Sequence, residues 1–327
     1  MKISVTIPSY NQADFLAEAI DSVLDQTLPA DEIIIVDDAS TDNSRVIAAA
    51  YQARFPECVK VILHPQNLGV AAARNTALQA ARGDYLTYLD ADDRYLPDKL
   101  AQEAARLQAA DQPDLVYSDY YVINSQGERI DRWADGQALP EGDVFTQTFG
   151  RQFPQRRLFR CELVNAAAWR QVGDYRGELA VYEDYEMRIR LTKWLRVGAV
   201  AQPLSEHRRH AYGLSRRPAL AFLAAFEKIL AVDSGLLNDL PEDQQHAVQR
   251  QLDAWHAELL RRHSLEIAHH PGPWTRRMQD AWQVFRQSRR YDPRLYWWYF
   301  LQLWLPKDAT RILRAWRGRM RQKRLGR

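Results

Sequence analysis

The chain has 327 residues, of which 46% are apolar and 26% charged, and a formal net charge of +2. This composition is that of a globular protein long enough for two domains, and the net charge is too small to indicate nucleic-acid binding. The chain contains only two cysteines, Cys58 and Cys161, which excludes a disulfide framework and a cysteine-based zinc site and favours a reducing compartment.

Strand and helix patterns alternate through the first third of the chain. Short apolar strands are expected at residues 2–8, 32–38, 59–64 and 84–90. Helical spacing of apolar residues occupies residues 13–26, 40–55 and 69–82, with Ser40 or Thr41 as the expected N-cap of the second helix. The alternation predicts an α/β fold of Rossmann-like type, with a mostly parallel sheet and helices on both faces.

The N-terminal residues begin this strand pattern at once, without the apolar core or cleavage site of a signal peptide. No run of the sequence approaches the roughly 20 apolar residues that would span a bilayer. We therefore expect a cytoplasmic protein, or one attached to a membrane from the cytoplasmic side.

Acidic residues follow the fourth predicted strand, at the edge of the sheet where ligands bind in such folds. If the strand continues, Asp90 and Asp92 point the same way and can face one ligand. Carboxylate oxygens of this kind suit Mg²⁺ or Mn²⁺, which also take phosphate oxygens. The alternative is a group of loop aspartates, one of which caps the next helix.

The ends of the first two predicted strands raise the question of a nucleotide. An acid such as Asp38 often receives a ribose in dinucleotide-binding folds, but the first turn lacks the glycines of that motif, and a Walker A sequence is also missing. Asp38 can still accept a hydrogen bond from a base, and Tyr10 can stack on one. A packing role is the alternative for Tyr10.

The middle of the chain is mixed. Residues 115–133 have the pattern of a hairpin with Gln126 and Gly127 near its turn, and residues 161–173 and 181–194 have helical patterns. In the second of these, the pair Glu183 and Asp184 is consistent with helix capping or with a general base.

Histidines near the end of this region, His207 and His210, are competent metal ligands or phosphate partners. The adjacent arginines make a solvated basic loop the alternative. From Pro218 onward only helical periodicity remains, so we predict domains at residues 1–217 and 218–327.

The last segment of the chain is aromatic and then basic. Residues 306–327 contain nine Lys or Arg and one Asp, directly after a run that includes Trp297, Trp298, Phe300 and Trp304. This combination is typical of a helix lying in a membrane interface. The alternative is an interface with a second domain or a second copy in an oligomer, and no nucleic-acid-binding module is recognisable.

Taken in order, six segments resemble glycosyltransferase family 2, whose members have the GT-A fold. They are residues 5–27, 33–44, 67–78, 83–97, 169–191 and 208–215, so the resemblance covers roughly residues 1–217. It implies that Pro8, Tyr10 and Asp38 hold the base of a nucleotide, usually uracil, and that Arg74 contacts the nucleotide or its phosphates.

The same resemblance implies the catalytic set. Asp90 is expected near the ribose or the metal, Asp92 as the metal ligand and His210 beside the metal or the diphosphate. Asp184 matches the catalytic base, which implies a single displacement with inversion. The cofactor is then Mn²⁺ or Mg²⁺.

The expected reaction is a transfer from a nucleotide sugar, with UDP as its carrier, to a glycan or lipid-linked acceptor at the inner face of the cell membrane. The Q-x-x-R-W motif of processive synthases is missing, so one sugar is added per encounter. Many family members have Trp where Met187 or Arg188 stands, so the acceptor is left open. The alternatives are a nucleotidyltransferase and a catalytically silent GT-A scaffold.

Overall fold

The computed structural model describes residues 1–210, 213, 217–271 and 273–291. The chain packs as two compact units, of which the first comprises Met1–Arg216 and Leu236–Gln244. The second comprises Arg217–Gly235 and the described residues from Gln245 onward. The aromatic and basic segment predicted to contact a membrane lies outside the described residues.

Nine strands and seven α-helices make up the described part of the first unit. The strands are β1 (Ile3–Ser9), β2 (Glu32–Asp37), β3 (Val59–Leu63), β4 (Tyr85–Tyr88), β5 (Arg94–Tyr95), β6 (Leu115–Ile123), β7 (Arg129–Arg132), β8 (Leu163–Asn165) and β9 (Val197–Arg208). The helices are α1 (Leu16–Leu24), α2 (Ser44–Arg54), α3 (Val70–Ala80), α4 (Lys99–Leu107), α5 (Phe145–Phe149), α6 (Ala166–Val172) and α7 (Glu183–Trp194).

The strands form one sheet in the order β3-β2-β1-β4-β8-β6-β9-β5, and β7 pairs with β6. The first four strands, β1–β4, are parallel to one another, as the alternation of strands and helices predicts. The sheet is mixed beyond β4, because β8 is antiparallel to both of its neighbours and the β6–β7 hairpin adds another antiparallel pair.

The core lies around the two central parallel strands. All seven residues of β1 are buried, and Ile33–Val36 of β2 are fully buried, as expected for strands covered on both faces. The apolar stripe of α1, at helical spacing, packs into the same cluster. Each fully buried aliphatic side chain contributes about 1.5–3 kcal/mol, so these strands anchor the edge where the candidate site lies.

Two local predictions need correction. Helix α2 begins at Ser44 after Asn43, because Ser40 is used elsewhere: its hydroxyl accepts from the Asn11 amide. Residues 161–173 are not helical throughout, since β8 precedes α6 and the Asn165 side chain caps that helix. The predicted hairpin is confirmed, with Gly127 at φ +82° in its turn.

The second unit is helical where it is described, with α8 (Ala219–Asp233), most of α9 (Glu242–Ala268) and α10 (Trp274–Ser288). Helices α9 and α10 share a small apolar cluster that includes Leu265, Met278 and Phe285. Within the described residues, no helix combines the length and apolar character that a bilayer crossing needs.

Candidate functional site

The acidic segment after β4 is a turn. The Asp93 amide donates to the Asp90 carbonyl at 2.9 Å, which closes a turn over residues 90–93. The strand therefore ends before Asp90, and the expectation that Asp90 and Asp92 share one strand face is wrong. Their carboxylates are distributed to different partners, which divides the site into two parts.

Asp90 belongs to a buried ion network. Arg74, on α3, donates from Nη2 to Asp90 at 2.8 Å and from Nη1 to Glu183 at 2.8 Å. Arg160 approaches the other Asp90 oxygen at 3.4 Å. Burial would raise the pKa of Asp90, but the positive charges of Arg74 and Arg160 outweigh it and lower that pKa.

Asp184 lies in the first turn of α7, where an acid is favoured by the helix dipole. Its Oδ2 accepts from Arg188 Nη1 at 2.7 Å, one helical turn later. Arg188 is 1% exposed and also reaches Glu162 at 3.1 Å and the Tyr88 hydroxyl. We call Arg74, Asp90, Glu162, Glu183, Asp184 and Arg188 the ion network.

The adjacent acids of α7 are held in different protonation environments. Burial works to raise the pKa of Asp184, but Arg188, Arg160 and Arg74 outweigh it and keep that pKa well below its ordinary range. Burial raises the pKa of Glu183 to about 7, against the opposing charge of Arg74. Asp184, 24% exposed, is therefore the ionised carboxylate that a substrate can reach.

The second part of the site joins the turn to the end of β9. His210 Nε2 lies 2.8 Å from Asp92 Oδ2, and this contact raises the pKa of His210 above its ordinary value. Asp93 is buried and contacts His207 Nδ1 at 2.6 Å while accepting from the Arg208 amide at 2.7 Å. Asp93 thus fixes the end of β9 against the turn, which positions His210.

Asp92 and His210 are the residues that could hold a cation. A carboxylate and an imidazole that already face each other are a donor pair that suits Mn²⁺, and a bound diphosphate would supply further oxygens. Asp90 instead pairs with two arginines, Arg74 and Arg160. Across the described residues, no three His, Cys, Asp or Glu side chains are grouped so as to hold a metal ion by themselves.

The predicted base-binding residues lie at the ends of β1 and β2. Pro8 is buried opposite Val36, whereas Tyr10, just past β1, is 44% exposed. Asp38 is buried, and its carboxylate accepts from the Leu68 and Gly69 amides at 2.9 and 2.8 Å. It also contacts His64 at 2.7 Å, so Asp38 secures the loop that leads into α3.

The structure therefore brings the predicted residues together in three places: Arg74 with Asp90 near Asp184, Asp92 with His210, and Tyr10 with Asp38 at neighbouring strand ends. Sequence reasoning missed Arg160, Glu162 and His64. The pairing of Arg188 with Asp184 could have been found from the sequence, because Arg188 comes four residues after Asp184 on one helix and residues four apart on a helix are neighbours.

Comparison with known proteins gives a family match for about the first half of the chain. Residues 4–166 match the family model described as Glycosyl transferase family 2. TuaG of Bacillus subtilis, named as a teichuronic acid biosynthesis glycosyltransferase, is 45% identical over 101 residues, which are 31% of this chain and 40% of TuaG. The poly(ribitol-phosphate) beta-glucosyltransferase of Bacillus spizizenii is 30% identical over 50% of this chain and 26% of its own length. The chain thus spans less than half of either relative.

Solved structures share the fold. TarS of S. aureus, residues 1–349 in complex with UDP-GlcNAc, superposes with a TM-score of 0.66 at 21% identity, over 92% of this chain and 88% of that one. The mannosyltransferase PcManGT of Pyrobaculum calidifontis, in complex with GDP-Man and Mn²⁺, gives 0.59 at 17% identity over 92% and 85%. The predicted GT-A fold class is confirmed.

Proposed function

The chain belongs to glycosyltransferase family 2, and from this premise we propose that it transfers a sugar from a nucleotide donor to a glycan or lipid-linked acceptor in surface-polysaccharide synthesis. The observation that carries the proposal is the convergence of Arg74, Asp90 and Asp184 in one ion network beyond the carboxyl end of β4. The named roles of the two Bacillus relatives support the polysaccharide setting, and the UDP-GlcNAc complex of TarS supports a UDP-sugar donor.

We place the nucleotide base at the ends of β1 and β2. The exposed ring of Tyr10 offers a stacking surface, and Asp38 has acceptor capacity left because a carboxylate has about four lone-pair sites and three are in use. Since its own loop already fixes the Asp38 carboxylate, a base N–H would meet an acceptor that needs no rearrangement. Pro8 would set the direction of the chain beneath the base.

We assign the divalent cation to Asp92 and His210, with Asp90 acting through Arg74 and Arg160. A bound cation would neutralise the negative charge that develops on the leaving diphosphate. The Mn²⁺ in the PcManGT complex supports Mn²⁺ as the ion to test first. Asp93 and His207 would keep His210 at the correct distance, because they hold the end of β9 against the turn.

We assign the general base to Asp184. The acceptor hydroxyl would give its proton to this carboxylate while its oxygen attacks the anomeric carbon of the donor. One bond to the sugar forms as the bond to the diphosphate breaks, on the opposite side, so the anomeric configuration inverts. Arg188 holds the carboxylate in place and ionised, and the absence of the processive-synthase motif suggests one transfer per encounter.

We propose that this chemistry takes place at the inner face of the cell membrane. The support is the aromatic and basic sequence near the C-terminus, which lies outside the described residues. Truncation from residue 295 should move the protein from the membrane fraction to the supernatant. Unchanged partition in the truncated chain would contradict this placement.

The function is tested by donor binding. The full chain is mixed with a panel of UDP-, GDP- and dTDP-sugars, with and without Mn²⁺, and its thermal unfolding is followed. A true donor at about 100 times its Kd stabilises the protein by roughly 2.7 kcal/mol. We expect this for at least one UDP-sugar with Mn²⁺, followed by Mn²⁺-dependent release of UDP. Binding of none of the panel would contradict the proposal.

A further inference from the structure

A second group of arginines adjoins the ion network through one member, Arg160, which lies 3.4 Å from Asp90. It consists of Arg157, Arg160 and Arg209, which we call the arginine patch. Arg209 directly follows β9, and its amide donates to the Ile123 carbonyl at 2.8 Å, so the pairing with β6 continues through it. The arginine patch is therefore attached to the far half of the sheet, beyond β4 and β8.

Strand register puts the surroundings of Arg209 on one face. Val122 of β6 is opposite Asp131 on β7 and His207 on β9. Side chains of opposed residues lie on the same face and alternate along a strand, so Tyr120, Asp131, His207 and Arg209 share that face. Tyr120 contacts the His207 ring edge-on at 6.1 Å, in agreement with this register.

The loop after the short 3₁₀-helix at Pro154–Arg156 brings the other two arginines to the same face. Trp133 stacks on Tyr120 at 5.0 Å, and its Nε1 donates to the Pro154 and Arg157 carbonyls at 2.9 and 3.0 Å. The loop is thereby held over the sheet. From it, Arg157 reaches toward Asp131 and Arg160 toward Asp90.

The protein neutralises the arginine patch incompletely. Arg157 Nη1 lies 3.6 Å from Asp131, and this buried nitrogen makes no hydrogen bond. Arg160 lies 3.4 Å from Asp90, whose other oxygen already receives Arg74. Arg209 makes no ion pair with any residue that the structure describes. Charge-assisted hydrogen bonds normally measure 2.7–2.9 Å, so guanidinium donors remain available in all three side chains.

The electrostatics agree with this geometry. Burial raises the pKa of Tyr120 to about 12, while Arg160, Arg157 and Arg209 act on it in the opposite direction. The positive charges of Arg157, Arg160 and Arg209 are thus close enough to act on one side chain, and an anion among them would relieve their mutual repulsion.

We propose that the arginine patch binds a phosphate group of the acceptor; this inference rests on the proposed function. Phosphate is favoured over carboxylate because three guanidinium groups approach from two segments, the loop that carries Arg157 and Arg160 and the end of β9 that carries Arg209. A tetrahedral phosphate offers oxygens in several directions, whereas a planar carboxylate is satisfied by one guanidinium fork.

Strand alternation separates the arginine patch from His210, beside which the diphosphate is placed. Arg208 and His210 both lie against the Phe15 ring, whereas Arg209, between them in the chain, lies on the other face. The nucleotide base is placed at β1 and β2, and β6 lies three strand spacings from β1, roughly 14 Å away at about 4.8 Å per spacing. Arg160 acts electrostatically on Asp184, the base that the acceptor hydroxyl must reach. A phosphate held by Arg157 and Arg209 would thus lie on the far side of the reacting centre from the nucleotide.

The test uses glycerol 3-phosphate as a probe, titrated calorimetrically into the full chain saturated with UDP and Mn²⁺. We expect binding to the wild type, at least tenfold weaker binding to the R157Q/R209Q double variant, and about threefold or greater weakening in R209Q alone. Arg209 is exposed, so R209Q should fold normally, which thermal unfolding verifies. R129Q is the matched control, because Arg129 is on the same hairpin but pairs with Glu206 on the other face.

UDP affinity should stay within twofold in every variant, and glycerol and glycerate should bind much more weakly than glycerol 3-phosphate. Competition between UDP and the probe, with weaker UDP binding in R157Q/R209Q, would assign the arginine patch to the donor and overturn the inference. Equal binding of glycerate, or no effect of the substitutions, would also overturn it. If UDP itself fails to bind, the proposed function fails, whereas titration without UDP still tests the arginine patch.

Discussion

The ion network and the arginine patch are adjacent, but their arginines differ in how closely carboxylates pair with them. Arg74 and Arg188 each have a carboxylate at 2.7–2.8 Å and are almost fully buried. Arg157 and Arg160 stop at 3.6 and 3.4 Å from theirs. A buried charge needs a close partner to offset its desolvation, and each arginine of the ion network has one, although the Nε atoms of Arg74 and Arg188 make no hydrogen bond. The arginine patch is nearer to solvent, and its positive charge is only partly neutralised, so it can bind an anionic ligand.

The largest expected effect comes from removing the ionised carboxylate of the ion network. Asp184→Asn should lower the rate of sugar transfer by ~100- to 10,000-fold, because the acceptor hydroxyl loses its general base. UDP affinity, measured by calorimetry, should stay within about twofold, since Asp184 is not assigned to the nucleotide. Near-normal turnover would show that Asp184 is not the general base. Its pairing with Arg188 would then be a structural feature alone.

Breaking the ion network from its positive side should unfold the protein more easily. Arg188→Met leaves Asp184 and Glu162 without their buried partner and should lower the free energy of unfolding by about 3–5 kcal/mol. Arg129→Gln, which removes a half-exposed ion pair, should cost at most ~1 kcal/mol. Urea denaturation measures both. Equal costs would show that burial does not distinguish the two regions.

The contact between Asp92 and His210 should matter through the cation. Asp92→Asn is expected to weaken Mn²⁺-dependent UDP binding at least ~10-fold, because an amide oxygen is a poorer ligand than a carboxylate. Binding measured in EDTA should change little. Asp111→Asn, at an exposed pair with Arg106, is the control. Equal loss with and without Mn²⁺ would assign Asp92 to the nucleotide and not to a cation.

The smallest expected effect concerns the protonation of Glu183 and its influence on stability. Its folded-state pKa of about 7 lies above the ordinary value of 4.5, so the folded protein holds this proton more tightly than the unfolded chain. Stability from Glu183 is therefore present below about pH 4.5 and declines as the pH rises to about 7, by roughly 1–3 kcal/mol. The stability of Glu183→Gln relative to the wild type should therefore increase between about pH 4.5 and pH 7. A constant difference in Tm from pH 4.5 to 7.5 would contradict it.

Much of the first unit could be read from periodicity. Strands covered on both faces leave continuous apolar runs, as in β1 and β2, and amphipathic helices such as α1 leave a spaced apolar stripe. These are local signals. The polar residues at the ends of β1, β2 and β4 were also visible, because strand ends are defined by where the apolar run stops.

The composition of each charge cluster could not be read in this way. Arg160 and Glu162 precede β8, an antiparallel strand inside a sheet that the sequence suggested to be mostly parallel. Their partners Asp90 and Arg188 are 70 and 26 residues away along the chain. No periodicity relates such positions, since only the order of the strands brings them together.

The sequence by itself determined the class of fold, the family and the short list of acids and histidines, because these depend on local patterns and on motifs in a constant order. Only the tertiary structure decided what each of them does to the others. It shows that the chain turns at Asp90 after β4 ends. Asp90 pairs with arginines and Asp92 with a histidine, and the three arginines of the arginine patch keep unused hydrogen-bond donors. The physical reason is that pairing and desolvation depend on distances between residues far apart in the chain, which sequence order does not encode.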